Sequence, residues 1–263
     1  MKANYHTHTT RCGHASGSDE AYVLAAIEQN FDILGFSDHV PWPYASTFRN
    51  PRVRMDVTQI EDYLSSVAKL RAKYRDKIRI LTGFECEYFP AYLSWLAETK
   101  EEKGIDYLIL GNHYDRSDEN GMYFGRVHTP KELRLYVKDT VAGIESGLFV
   151  YLAHPDLFMR GGYPFDDDAK AACKDLIAAC LEYKMPMEYN VHDRYLYNVT
   201  HRISYPSRDF FEMVMAAGVP VLIGIDAHDP DEISNPRQWD IAEAELGGYG
   251  HFLRHLPELT GAK

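Results

Sequence analysis

Cysteine is scarce in this chain: four in 263 residues, at 12, 86, 173 and 180, with no CxxC pair among them. That spacing speaks against a disulfide framework, and four reduced thiols suit a cytoplasmic protein. Long apolar runs are absent too. No stretch approaches the eighteen or so apolar residues that a membrane span requires, so no membrane partner is expected. Residues 1–5 lead straight into a histidine cluster without the apolar segment of a secretory signal, which again favours the cytoplasm. Clustered cations are missing as well: formal net charge is −11, and no run of Lys or Arg appears. A general grip on nucleic acid is thereby excluded, because phosphate backbones reward clustered positive charge. A small phosphorylated substrate is not, since two or three local arginines outweigh the average. There is no internal repeat, low-complexity segment or composition break. One domain spanning residues 1–263 is expected, with 45% apolar residues available for a core.

What is present is alternation. Short runs rich in β-formers occur at 5–8, 33–39, 78–88, 107–113, 149–155, 186–191 and 220–228. Most are continuously apolar, as befits strands covered on both faces. Helical patterns lie between them at 19–29, 58–75, 91–103, 130–146, 167–183 and 207–217, with another near 240–256. Ser18, Thr129 and Ser207 read as helix starts, and Gly218 as a stop. Cys173 and Cys180, seven apart on one helix, should share a buried face. Seven strands alternating with seven helices give a parallel α/β architecture, either an open doubly wound sheet or a closed barrel.

The histidines favour the barrel. His6 and His8 lie on the first strand, and the next four end at His39, Glu85, His113 and His154. The last carries Asp226 and His228. Only the sixth strand lacks such a group, ending in Glu188-Tyr189-Asn190. In a (β/α) barrel all strand C-termini open on one rim, where active sites sit. Residues two apart on a strand point the same way, so His6 and His8 can hold one ion together, and Asp226 and His228 repeat the arrangement from the opposite end of the chain. Imidazoles with a few carboxylates suit zinc, manganese or iron rather than calcium or magnesium. Seven histidines and two acids exceed one ion's needs, so two or three ions with a bridging carboxylate are expected. His14, in the loop, should turn toward a different ion from His6 and His8. His128, His201, His251 and His255 read as structural, and His192 is open between the two roles.

The stretches YHTHTTRCGHA, FSDHVPWP, LTGFECEYFP, DYLILGNHY, LAHPDLFMR, MEYN and IGIDAHDP together resemble the polymerase-and-histidinol-phosphatase superfamily, and more closely its histidinol phosphate phosphatase branch. The resemblance implies a distorted seven-stranded TIM-like barrel holding three divalent transition-metal ions (Zn, Mn or Fe) at the C-terminal rim. It implies His6, His8, Glu85 and Asp226 on the first ion. Glu85 would bridge to the second, completed by His113 and His154, and His14, His39 and His228 would hold the third. Glu87 then stands behind the ligands. Asn112 departs from the family, where glutamine is common before the histidine.

The expected activity is hydrolysis of a small phosphate monoester, L-histidinol phosphate first, as a step of histidine biosynthesis. Asp226 and Glu85 act at the ions, and Arg160, with Arg194, recognises phosphate through its two-pronged guanidinium. Trp42, Tyr114, Asp115 and Asp156 are available for the organic end of the substrate. The loop 40–56, with Arg49, Arg52 and Arg54, has no helical period and reads as a lid. Alternatives are a related phosphoesterase for nucleotides, cyclic phosphates or another small ester, or a metal-binding module without turnover. An amidohydrolase is disfavoured because no lysine ends the fourth strand. Oligomeric state is not legible.

Overall fold

The computed structural model describes residues 1–195 and 204–260. Its strands are short and all paired in parallel: β1 (Ala3–Asn4), β2 (Ile33–Phe36), β3 (Arg79–Cys86), β4 (Tyr107–Leu110), β5 (Met187–Asn190), β6 (Val221–Gly224) and β7 (Phe252–Leu253). They form one sheet in the order β1-β2-β3-β4 and another in the order β5-β6-β7. Leu152 joins the two by single bridges, to Leu110 on one side and Met187 on the other, and Thr7 bridges Ala227 at the opposite margin. The result is an α/β fold with a curled parallel sheet.

Alternation along the strands divides the apolar core. Leu34, Ile80, Leu108 and Ile223 pack outward in the large cluster shared with the helices. Ile33, Leu81, Tyr107, Ile109 and Leu222 face a smaller cluster inside the curl, closed by Leu256 and Leu259. Parallel strands covered on both faces are mostly apolar, which is why these runs show little polar alternation.

The helices begin where short polar side chains accept orphan backbone N–H groups. Ser18 caps α1 (Asp19–Glu28) by accepting from Ala21 N. Thr129 and Glu132 form a reciprocal capping box on the helix Pro130–Glu145. Ser207 starts Arg208–Ala217, which stops at left-handed Gly218. Cys173 and Cys180 are both buried on Asp167–Glu182, and all four cysteines are free thiols. No helix among the described residues is long and apolar enough to cross a membrane.

Two expectations need correction. Residues 149–155 do not form a regular strand: only Leu152 bridges its neighbours, and His154 adopts a left-handed backbone with φ 29°. The helix expected near 240–256 ends earlier, as Arg237–Leu246. The chain then turns at Gly247 and Gly248 and supplies β7 beside β6. Two short helices, His192–Tyr195 and Pro230–Ser234, follow β5 and β6 and were not expected.

Candidate metal centre

Inward-facing positions at the C-terminal ends of the strands carry the polar groups. On β3 the face that holds Leu81 continues through Gly83 to Glu85, and past β6 the face of Leu222 continues through Gly224 to Asp226. Asp226 sits at φ 55°. Tyr151 and Ala153 face the inner cluster, so strict alternation would turn residue 154 outward. The left-handed backbone of His154 breaks that alternation and aims its ring at Glu85. Of the four non-glycine residues with positive φ among the described residues, these two lie at the centre, which fits strain retained for function.

Glu85 is the hub. Its Oε1 lies 2.6 Å from His154 Nε2, 3.3 Å from His113 Nε2 and 3.4 Å from His6 Nε2. Its Oε2 lies 3.0 Å from His39 Nδ1 and 3.5 Å from His8 Nε2. Asp226 Oδ1 is 3.0 Å from His8 Nε2 and 3.4 Å from His6 Nε2. Ligand-type atoms of His6, His8 and Asp226 all lie within 4.8 Å of one another, as do those of His6, Glu85 and His154, and of His8, His39 and His228. His14 completes the ring, its Nε2 facing His228 Nε2 at 3.0 Å. Cys12, which the sequence reading left aside, puts its sulfur within the same reach of His14 and His228.

Burial and charge oppose each other throughout this cluster. Burial alone would raise the Glu85 carboxyl, but the imidazoles around it, His113 foremost, hold it well below the usual carboxylate range. Asp226 follows the same rule, held down by His6 and His192 against its own burial. His39 is pushed down to about 3 by burial, and burial also lowers His228. Both rings are therefore neutral, the form that donates a lone pair. Burial would lower His6 too, but Asp226, Glu188 and Glu85 hold it well above the ordinary value.

The residues fit a metal cluster on a direct observation. His6 Nε2, His8 Nε2, His39 Nδ1 and Asp226 Oδ1 are buried and lack any hydrogen-bond partner. Buried polar atoms are almost always satisfied, so four orphans within one cluster mark a place for cations. A set of nitrogens and carboxylate oxygens selects borderline transition metals.

A cleft of about 380 Å³ opens above the cluster, lined by His14, His39, His113, His154, His192 and His228 together with Arg52, Tyr114, Tyr123, Arg160 and Tyr205. Arg160 donates to the Tyr123 hydroxyl at 2.9 Å and lies 6.0 Å from the Tyr205 ring centre. The loop 40–56 forms one wall through Arg52 and Val53. His192 belongs to this cleft. His128 and His251 are exposed and His255 is half-buried, all away from it, and His201 lies outside the described residues.

Two of the expected substrate contacts are elsewhere. Trp42 is 3% exposed; its indole N–H donates to Glu87 Oε2 at 2.8 Å, and its ring packs among Phe89, Tyr92 and Trp95. Arg194 pairs with Glu245 at 2.8 Å, donates to the Tyr189 hydroxyl, and lines a separate crevice. Of the remaining rim groups, Tyr114 lines the cleft, whereas Asp156 is buried and accepts from Ser207 N at 2.6 Å. Asp115 accepts from Met122 N and Arg116. Glu87 is buried behind the centre, bound to Arg54 at 2.8 Å and 3.3 Å from His113 Nδ1.

Sequence reasoning passed over Glu188, Asn190 and Asp38. Glu188 Oε1 meets His6 Nδ1 at 2.8 Å. Asp38 stands 3.5 Å from His8 Nδ1 and accepts from the Thr9 hydroxyl. The available signal was an acidic residue inside an otherwise apolar strand.

The PHP domain family model matches residues 4–192. The histidinol-phosphatase of Bacillus subtilis is 24% identical over 263 residues, covering 89% of this chain and 96% of that protein. The probable histidinol-phosphatase of Deinococcus radiodurans is 25% identical over 234 residues, covering 87% of this chain and 86% of its own length. Among solved structures, the histidinol phosphate phosphatase of Lactococcus lactis, complexed with zinc, L-histidinol and phosphate, superposes with a TM-score of 0.75 at 16% identity, covering 100% of this chain and 99% of that one. With the family model matching well over half of its length, the chain belongs to the PHP domain family.

Proposed function

We propose that this protein is a metal-dependent phosphatase that hydrolyses L-histidinol phosphate to L-histidinol and inorganic phosphate, a reaction of histidine biosynthesis. The observation that carries this reading is the convergence of seven histidines, Glu85 and Asp226 beneath a cleft that also holds Arg160. Histidinol-phosphatase relatives covered nearly end to end support the substrate. We infer three ions: the first on His6, His8, Glu85 and Asp226, the second on Glu85, His113 and His154, the third on His14, His39 and His228. The bridges through Leu152 and between Thr7 and Ala227 support a distorted seven-stranded barrel of β1–β6 with residues 149–155 as its irregular fifth stave, β7 pairing with β6 alone, in a single domain over 1–263. Free, buried thiols support a cytoplasmic setting.

Bound divalent ions supply Lewis acidity to phosphoryl transfer. The chain's own residues do the rest. Arg160, steadied by Tyr123 and Tyr205, offers its remaining guanidinium donors to the phosphate oxygens, whose charge grows in the transition state. Arg52, exposed on the wall formed by the loop 40–56, offers a second guanidinium. The tyrosines of the cleft present flat, amphipathic surface to the organic end. Such a pocket takes a small metabolite and not a nucleic-acid backbone.

The test is a panel of phosphate monoesters on metal-loaded enzyme, with elemental analysis of the same sample. Histidinol phosphate should give the highest kcat/KM, with more than one transition-metal ion per chain. A far higher kcat/KM on a nucleotide or cyclic phosphate would overturn the substrate, and a metal content at or below one would overturn the cluster.

A further inference from the structure

Glu188, at the second position of β5, is fully buried, and its two carboxylate oxygens are committed to different neighbours. Oε1 faces His6 Nδ1 at 2.8 Å. Oε2 accepts the backbone N–H of His154 at 3.0 Å and the Asn190 side-chain N–H at 2.8 Å. The same Asn190 amide reaches Asp226 Oδ2 at 3.2 Å. One carboxylate thus touches His6 directly, His154 through its backbone and Asp226 through Asn190. The sheet makes room for it: a Cβ at Gly224, across on β6, would fall 1.8 Å from Glu188 Oε1.

We propose that Glu188 is the positioning residue of the metal centre, fixing a ligand of the first ion and a ligand of the second at once. Accepting the Nδ1 proton sets the His6 tautomer and leaves the unpartnered Nε2 as the donor atom, with raised basicity. Accepting the His154 N–H pins the peptide that carries that ring in its left-handed conformation. Loading of the two ions is coupled through this carboxylate, independently of substrate. The inference rests on the metal-centre reading above, and not on which ester is hydrolysed.

The experiment is zinc binding by metal-stripped protein in competition with a chromophoric chelator, for wild type, Glu188→Gln, His6→Ala and the double variant. An amide at 188 turns an N–H₂ toward one of the groups that the carboxylate accepts from. Zinc affinity should fall 10–100-fold, the range for lost partners of ligand histidines. In the His6→Ala background the same change should cost less, because the part of its effect that passes through that ring is already lost. Gly224→Ala keeps the carboxylate but displaces it, and should reproduce the loss should Glu188→Gln fold poorly. Zinc affinity within twofold of wild type in Glu188→Gln or Gly224→Ala, or an undiminished further loss in the His6→Ala background, overturns the proposal. No phosphate ester enters this titration. A protein that binds zinc as expected yet prefers another ester would defeat the substrate assignment alone.

Discussion

Arg160 Nη1 donates to the hydroxyl of Tyr123, 37 residues earlier in the chain, at 2.9 Å on the wall of the histidine-lined cleft. The bond preorganises a guanidinium above the centre without using all its donors. Arg160→Ala should therefore cost about 2–4 kcal/mol of transition-state stabilisation, read as kcat/KM, with metal content intact. Arg160→Lys should recover only part of it, because an ammonium lacks the planar fork. Near-normal kcat/KM in the alanine variant would remove Arg160 from the phosphate site.

Behind the centre, Arg54 and Glu87 form a buried ion pair at 2.8 Å, extended by Asp118 at 3.1 Å from Arg54 Nε. Burial alone would raise Glu87; Arg54 holds it far below the usual carboxylate range. Arg54→Met should therefore leave an uncompensated buried carboxylate and destabilise by about 3–5 kcal/mol. Chemical denaturation at neutral pH measures this. A loss under 1 kcal/mol would show that the buried Glu87 carboxylate does not depend on Arg54.

The convergence of these histidines and acids was legible because most of them are polar residues ending apolar runs, and so many at corresponding strand ends have no joint structural explanation. Period-two alternation then gave which side chains converge just beyond β1 and β6. What escaped depended on contacts distant in sequence. The aromatic character of Trp42 suggested substrate, yet Phe89, Tyr92, Trp95 and Glu87 absorb it. Arg194 follows a strand end as Arg160 does, but Glu245, 51 residues on, claims it. The run 149–155 is apolar enough for a strand; the positive φ of His154 interrupts it, and no residue type announces that. Glu188 looked like the absence of a ligand because its role is to hold one.

Asp139 lies on the helix Pro130–Glu145, outside the lining of the metal-centre cleft. Burial, against the opposing pull of Lys138, raises its carboxyl to about 6. A folded-state pKa above the unfolded value near 3.9 means that the native state holds the proton more tightly. The associated stability is fully present below pH ~3.9 and is lost as pH rises through about 6. Asp139→Asn, neutral at every pH, should melt higher than wild type at pH 8, with the advantage gone at pH 4. Melting curves across that range check it. A constant offset between the two proteins would show that Asp139 does not titrate in this window.

Gly111 follows β4 and lies beside the hub carboxylate: a Cβ there would sit 2.1 Å from Glu85 Oε1 and 2.6 Å from its Cγ and Cδ. Those atoms are packed among five imidazoles, so they cannot swing aside at low cost. Gly111→Ala should displace Glu85, reduce zinc stoichiometry and lower kcat/KM by at least tenfold. Gly104→Ala supplies the contrast. That residue caps the helix Leu93–Lys103 at φ 63°, with nothing within 4 Å of a new Cβ. Its substitution strains the backbone and should cost about 1 kcal/mol of stability while leaving metal content and kcat/KM unchanged. Paired melting curves and metal analyses separate the two effects. Full zinc loading and activity in Gly111→Ala would show that Glu85 has room to move, and its place as the bridging ligand would fall.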